Sequence, residues 1–288
     1  MPIKAKEKGH QRVRKTIKEL CLMDDDFMTA CFDQDIESTR LVLSIIFNDP
    51  NIRIKSVQTQ KRMKNLLGRD ICLDIHAIDG EDQEINVEVQ RADEGASPKR
   101  ARYHSSIMDA HALKENQSFD SLPESYVIFI TENDVFKSDK PIYHIERHIT
   151  DTGELFSDGE HIIYVNGANG DINTELGKLV HDFKCKNAED MFFSQLADKV
   201  RYFKETEKGV STMSGILKEM REEAYAEGRS EGRLEGRLEG RSEGKSEGQT
   251  IIVENMLKKD KTINEIVDLC NLPEDFVREV EKKMRVTT

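Results

Sequence analysis

Residues 71–90 constrain this chain more than any other stretch. Leu73-Asp74-Ile75-His76-Ala77 and Ile85-Asn86-Val87-Glu88-Val89-Gln90 flank a polar turn, and both runs alternate apolar with polar side chains. A period of two marks half-buried β-strands. Leu73, Ile75 and Ala77 share one face of the first strand; Ile85, Val87 and Val89 share one face of the second. With both apolar faces in one core, an antiparallel hairpin closing over residues 79–83 pairs Ile78 with Glu84, Ile75 with Val87 and Asp74 with Glu88. A one-residue slip would bury the wrong face, so the register is well specified. Directly opposed side chains stand about 4.5–5.5 Å apart at Cβ, and like charges there destabilise a sheet. Two carboxylates so held ask for a cation between them, which makes a divalent-metal site the leading expectation.

The remaining composition limits the setting. The net charge of −12 argues against a protein that coats nucleic acid, while leaving room for a local basic face. Five cysteines (Cys21, Cys31, Cys72, Cys185 and Cys270) are odd in number and scattered without a CxxC pair. That usage suits reduced thiols better than a disulfide framework or a zinc site. No secretory leader or membrane-spanning run is read, so a soluble, cytoplasmic protein is expected.

Residues 1–22 read as a basic arm, with Lys4, Lys6, Lys8, Arg12, Arg14, Lys15 and Lys18 against Glu7 and Glu19. Residues 26–47 have helical apolar spacing, interrupted near 33–36 and ended by Asn48-Asp49-Pro50. Residues 51–69 contain Arg53, Lys55, Lys61, Arg62, Lys64 and Arg69 and no acid, a local reversal in an acidic protein. A helix is expected from Pro98 onward, a central strand at 125–131, strands at 142–149 and 161–165, and helices at 171–184 and 188–203. Strands and helices in this order predict a mixed α/β core.

At Ala226 the composition changes to an E-G-[RK]-[SL] repeat, running to about Gln249 with six glycines. Glycine costs about 1 kcal/mol per position inside a helix. Opposite charges fall two residues apart, where they cannot pair along a helix, and like charges fall four apart, where they repel. The expectation is either a marginal helix ordered by a close-packed partner or a charged linker. Residues 251–288 read as two short helices, with a capping box at Thr262-Ile263-Asn264-Glu265 and Pro273 opening the second. The resulting division is an arm at 1–22, a core at 23–206, a helical and repeat segment at 207–250 and a small helical tail at 251–288.

Asp74, thirteen intervening residues and then Glu88-Val89-Gln90, followed by a helix with Lys99-Arg100-Ala101-Arg102-Tyr103-His104, resemble the PD-(D/E)XK nuclease superfamily. More narrowly, with the E-G-R repeat tail, the chain is similar to the transposase-like branch of recombination-promoting (Rpn) nucleases. Glutamine stands at 90, where the superfamily usually has lysine. The resemblance implies a restriction-endonuclease-like core, a Mg²⁺-dependent (or Mn²⁺-dependent) DNA endonuclease linked to recombination or transposition, and DNA as partner. It implies metal ligation by Asp74, Glu88 and the Val89 carbonyl, with Gln90 orienting water or phosphate. Arg100 and Arg102 either bind substrate or neutralise the carboxylates, and Tyr103 is either part of that helix motif or core. Lys61, Arg62 and Lys64 are the candidate DNA contacts outside the motif, and Glu37 is the candidate acid on the first helix. His76 reads as a structural neighbour of Asp74. A homo-oligomer through the repeat segment is expected. The rival reading is a weak or inactive nuclease fold that binds DNA or acts as a scaffold through its repeat tail.

Overall fold

In the computed structural model, residues 11, 13–65 and 68–286 are described. The first of two compact units covers residues 1–220 and the second residues 221–288. In the first unit, helices α1 (residues 13–19), α2 (Asp25–Phe32) and α3 (Ile36–Ile46) precede strands β1 (Ile54–Met63), β2 (Ile71–Asp79) and β3 (Glu84–Gln90). Helix α4 (Pro98–Ala112) leads to β4 (Ser125–Thr131), β5 (Ile142–Ile145) and β6 (Glu160–Asn166), and then come α5 (Glu175–Lys184) and α6 (Ser194–Glu205). The strands form one mixed sheet in the order β1-β2-β3-β4-β6-β5. The outer pairs are antiparallel, whereas β3–β4 and β4–β6 are parallel. This is the mixed sheet flanked by helices expected from the sequence, with a helical C-terminal region.

Both faces of the sheet are covered. Ile75, Ala77, Ile85, Val87, Ile128 and Ile130 pack with residues of the helices before β1 and after β6, including Phe27, Leu43, Phe183 and Val200. Leu73, Val127, Phe129 and Tyr164 pack with Ala101, Ile107 and Met108 of α4 on the opposite face. The near-continuous apolar run of β4 follows from this double cover.

The hairpin has the expected register, from Ile78↔Glu84 to Ile75↔Val87. One expectation fails: Leu73 does not share the core of Ile75, and joins the second cluster instead. β1 behaves alike, with Val57 in the first cluster and Met63 in the second. The alternation resets where Gln60 adopts φ 50°, opposite Asp74, and neither residue takes part in the β1–β2 pairing. A left-handed non-glycine residue costs about 1 kcal/mol or more.

Other boundaries shift for local reasons. Strand β1 was not anticipated, because only Val57, Thr59 and Met63 of its ten residues are buried and alternation is weak. As an edge strand, its Lys and Arg residues discourage further pairing. Ile17 of α1 is fully buried, so residues 13–19 cover the core rather than forming a free arm; residues 1–10 and 12 lie outside the described residues. β5 stops at Ile145, four residues earlier than expected, and its continuation turns at Gly153 (φ 77°). Helix α5 starts at Glu175 because Thr174 caps it, its Oγ1 accepting from Gly177 N–H at 3.0 Å.

The repeat is helical throughout: α7 runs from Glu207 to Leu257. Helix initiation is costly and propagation is cheap. Met213 is buried in the first unit's core and Val253 in the second's, so both ends of α7 are nucleated by packing. In the second unit, α8 (Ile263–Cys270) carries the full capping box at Thr262 and Glu265. Helix α9 (Glu274–Val286) follows Pro273, and Val253, Ile266, Val277 and Val280 form a separate small core. No helix among the described residues is long and apolar enough to cross a membrane.

Candidate active site

Beyond Ile75↔Val87 the β2–β3 backbone ladder gives way to side chains. Val89 N–H donates to Asp74 Oδ2 at 3.0 Å, and Asp74 N–H donates to Glu88 Oε1 at 3.3 Å. The two carboxylates thus hold the ends of adjacent strands together. Glu88 is fully buried and Asp74 is 8% exposed.

Each carboxylate has its own set of partners. Glu88 Oε1 also accepts from Asn86 Nδ2 at 3.0 Å and lies 3.5 Å from His104 Nδ1. Asn86 Nδ2 also lies 3.4 Å from His104 Nδ1; a proton on Nδ1 lets the ring donate to Glu88, while the Asn86 amide donates to Glu88 itself. Glu88 Oε2 accepts from Arg100 Nη2 at 3.0 Å. Asp74 Oδ2 lies 3.5 Å from Gln90 Nε2, and Oδ1 accepts no hydrogen bond among the described residues.

The pair divides its charge. Burial, then the charge of Glu88, pushes the Asp74 carboxyl well above the usual carboxylate range. Burial also works to raise Glu88, but the His104 hydrogen bond and charge, the Asn86 amide and the Arg100 guanidinium outweigh it and leave Glu88 lowered. Without a cation the site therefore favours one protonated and one ionised carboxyl.

Helix α2 brings in a third acid that the sequence reading missed. Asp25, in the first turn of α2, is raised by burial and then by the charge of Glu88, which puts it within electrostatic reach of the pair. Gln60 Nε2 donates to Asp25 Oδ1 at 2.9 Å and to Thr29 Oγ1 at 3.1 Å, while Cys72 Sγ donates to Gln60 Oε1 at 3.1 Å. The left-handed Gln60 thus ties β1 and β2 to the acidic start of α2. Glu37, the expected helix acid, lies on α3 with its side chain 69% exposed and ion-paired to Arg40 at 2.9 Å.

The remaining candidates are spread out. Arg100 reaches Glu88, whereas Arg102 is exposed on α4. Tyr103 is partly buried; its hydroxyl donates to Arg69 O at 2.6 Å and accepts from Asn65 Nδ2 at 3.0 Å, pinning α4 to the chain after β1. Arg62 and Lys64 are exposed, but Lys61 turns inward, its Nζ 3.2 Å from His76 Nε2, and burial lowers its pKa. His76 also lies 3.4 Å from Glu84, away from the Asp74 carboxylate contacts, in keeping with a structural neighbour.

Among the described residues, His181, Asp182 and Cys185 also gather possible metal donors. Cys185 Sγ lies 3.5 and 3.6 Å from the two ring nitrogens of His181. Such equal spacing packs the sulfur against the ring rather than along one nitrogen lone pair. Asp182 is occupied by Phe192 and Phe193 N–H groups at 2.8 and 2.9 Å, and burial raises the Cys185 thiol to about 11. This cluster fastens the end of α5 to the start of α6.

No curated protein matches the chain significantly, and no solved structure does so. Residues 41–175 match the family model described as PD-(D/E)XK nuclease family transposase. That span, which contains Asp74, Glu88, Gln90 and Arg100 but not Asp25, is what the chain shares with the PD-(D/E)XK nuclease family transposases.

Proposed function

We propose that this protein is a DNA endonuclease that hydrolyses phosphodiester bonds with a divalent cation, Mg²⁺ or Mn²⁺, held by Asp74 and Glu88. The observation that carries this reading is the buried carboxylate pair on neighbouring β2 and β3, in which burial and the charge of Glu88 push the Asp74 carboxyl up. The donors fit such an ion: all are oxygens, as hard cations require, and Asp74 Oδ1 accepts no hydrogen bond among the described residues. The N–H and C=O of one strand residue point toward the same edge, and successive residues alternate between the two edges. Because Val89 N–H meets Asp74, the Val89 carbonyl is directed to the same side and supplies a third oxygen. Asp25 is a fourth candidate oxygen donor, in place of Glu37.

A cation bound there supplies a water acidified toward neutral pH and neutralises charge building on the phosphate. Asp74 gives up its proton to receive the ion. Val89 N–H and Gln90 Nε2 hold Asp74 Oδ2, which fixes the orientation of the carboxylate. Gln90 also orients the attacking water or a phosphate oxygen, without the positive charge of a lysine. Asn86 and His104 fix Glu88 from behind. Arg62, Lys64 and Arg102 offer exposed charge to the DNA backbone, Lys61 adding its charge from a more enclosed position. We take residues 23–206 as the nuclease domain, and α7 as the segment through which copies associate. An added Cβ at each of its six repeat glycines would meet nothing within 4 Å, which leaves room for a second helix.

Plasmid cleavage by the purified chain in Mg²⁺, Mn²⁺, Ca²⁺ or EDTA, beside Asp74→Ala, tests the reading. Cleavage is expected in Mg²⁺ or Mn²⁺ and not in EDTA. The alternative, a DNA-binding scaffold with a weak or silent site, draws support from the uncharged Gln90. It predicts DNA binding with no metal-dependent cleavage.

A further inference from the structure

Arg100 has contacts that neither simple phosphate binding nor simple neutralisation explains. The two oxygens of Glu88 are used unequally. Oε1 receives Asp74 N–H at 3.3 Å and Asn86 Nδ2 at 3.0 Å and faces His104 Nδ1 at 3.5 Å. Oε2 has one partner among the described residues, Arg100 Nη2 at 3.0 Å. The oxygen open to an incoming cation is therefore the one that Arg100 occupies.

A fully buried carboxylate without a counter-charge is strongly disfavoured. Arg100 meets that need, and its charge acts on Asp25 and Asp74 as well as on Glu88. It is nevertheless held loosely. Its Nε is buried without a hydrogen-bond partner, while its side chain is 37% exposed and so has a path to solvent. Its backbone is fixed, with Arg100 N–H donating to the Ser97 cap of α4 at 3.3 Å. A guanidinium on a fixed backbone, bonded to one carboxylate oxygen and next to solvent, is suited to exchange between two anions.

We propose that Arg100 is an exchangeable counter-ion: it neutralises Glu88 in the metal-free protein, leaves Oε2 when a divalent cation binds, and then binds a DNA phosphate. The proposal rests on the metal reading of Asp74 and Glu88. It makes metal and DNA binding mutually reinforcing, because the guanidinium is free for phosphate only after the metal has replaced it.

The test measures Mn²⁺ binding to the full chain from the spin-resonance signal of free Mn²⁺, without DNA. Arg100→Ala and Arg100→Gln should bind Mn²⁺ about tenfold more tightly than wild type, since a charge-assisted competitor has been removed. Damage to the fold would weaken binding, so a gain cannot arise from it. In a second arm, affinity for a labelled duplex is measured by anisotropy in Ca²⁺ and in EDTA at equal ionic strength. The Ca²⁺-dependent gain should be severalfold smaller in both variants. If wild type has an Asp74-dependent Mn²⁺ site but neither variant binds Mn²⁺ more tightly, the exchange is wrong and the metal reading survives. If wild type has no Asp74-dependent Mn²⁺ site, both fail.

Discussion

Gln90 and Gly95 interlock: an added Cβ on Gly95 would stand 2.1 Å from Gln90 Oε1. The turn after β3 needs glycine so that the Gln90 amide can lie beside Asp74. Gly95→Ala should lower cleavage by about 10- to 100-fold, the usual cost of misplacing an active-site group. In a Gln90→Ala background the same change should cost little more. Kinetics of the single and double variants give the coupling, and full additivity would break the proposed link.

Gln90→Lys should remain active or become faster, since it restores the charge that the superfamily usually carries there. Gln90→Ala should lose activity. Normal cleavage by Gln90→Ala would reduce Gln90 to a filler of the strand face.

Asp74→Ala and Glu88→Ala should each reduce Mg²⁺-dependent cleavage by at least about 10³-fold, because several kcal/mol of charge stabilisation at the phosphate depend on the ion. Circular dichroism should show the fold retained in Asp74→Ala. Wild-type rates in either variant would remove the assignment.

The metal-free protein should show opposite pH signatures from the two carboxylates. Asp74 is raised by burial and the Glu88 charge, so the folded chain holds its proton where the unfolded chain has lost it. Its contribution is full below the unfolded value of about 3.9 and is lost as pH rises through the folded value. Glu88 is lowered, so its contribution is present above about 4.3 and is lost as pH falls through its folded value. Asp74→Asn in EDTA should therefore gain stability relative to wild type at pH 8, and the gain should shrink on acidification. Thermal melts from pH 4 to 8 measure this, and a pH-independent difference would contradict it.

Charge reversal of Arg62, Lys64 and Arg102 to Glu should weaken binding to all DNA sequences and flatten the salt dependence by about 0.9 per lost phosphate contact. Lys61→Glu should do less to DNA binding and more to stability, because Lys61 lies against His76. Titrations at several salt concentrations distinguish them, and an unchanged slope in the triple variant would move the DNA to another face.

Replacing the six repeat glycines by alanine removes a helix-propensity cost of about 1 kcal/mol each. Melts followed at 222 nm should show a more stable α7. Sedimentation should show weaker self-association, because the close approach is lost; undiminished association would place the interface elsewhere.

The sequence by itself determined the β2–β3 register. Side-chain alternation in 71–90 allows one pairing that buries both apolar faces, and that pairing sets Asp74 beside Glu88. It also determined β4, whose apolar run suits a strand covered on both faces, and the capping box at Thr262, which lies within one turn. What it could not determine depends on residues far apart in the chain. Asp25 comes within electrostatic reach of the carboxylates because α2 packs on the sheet and Gln60 leaves regular strand geometry to meet it. The reset that sends Leu73 and Ile75 to opposite cores is invisible to a strict period of two. Arg100 and His104 reach Glu88 only after α4 folds back over the sheet. Periodicity records which face a residue needs, but the protonation of Asp74 and the partners of Glu88 depend on burial and charges brought together by tertiary packing.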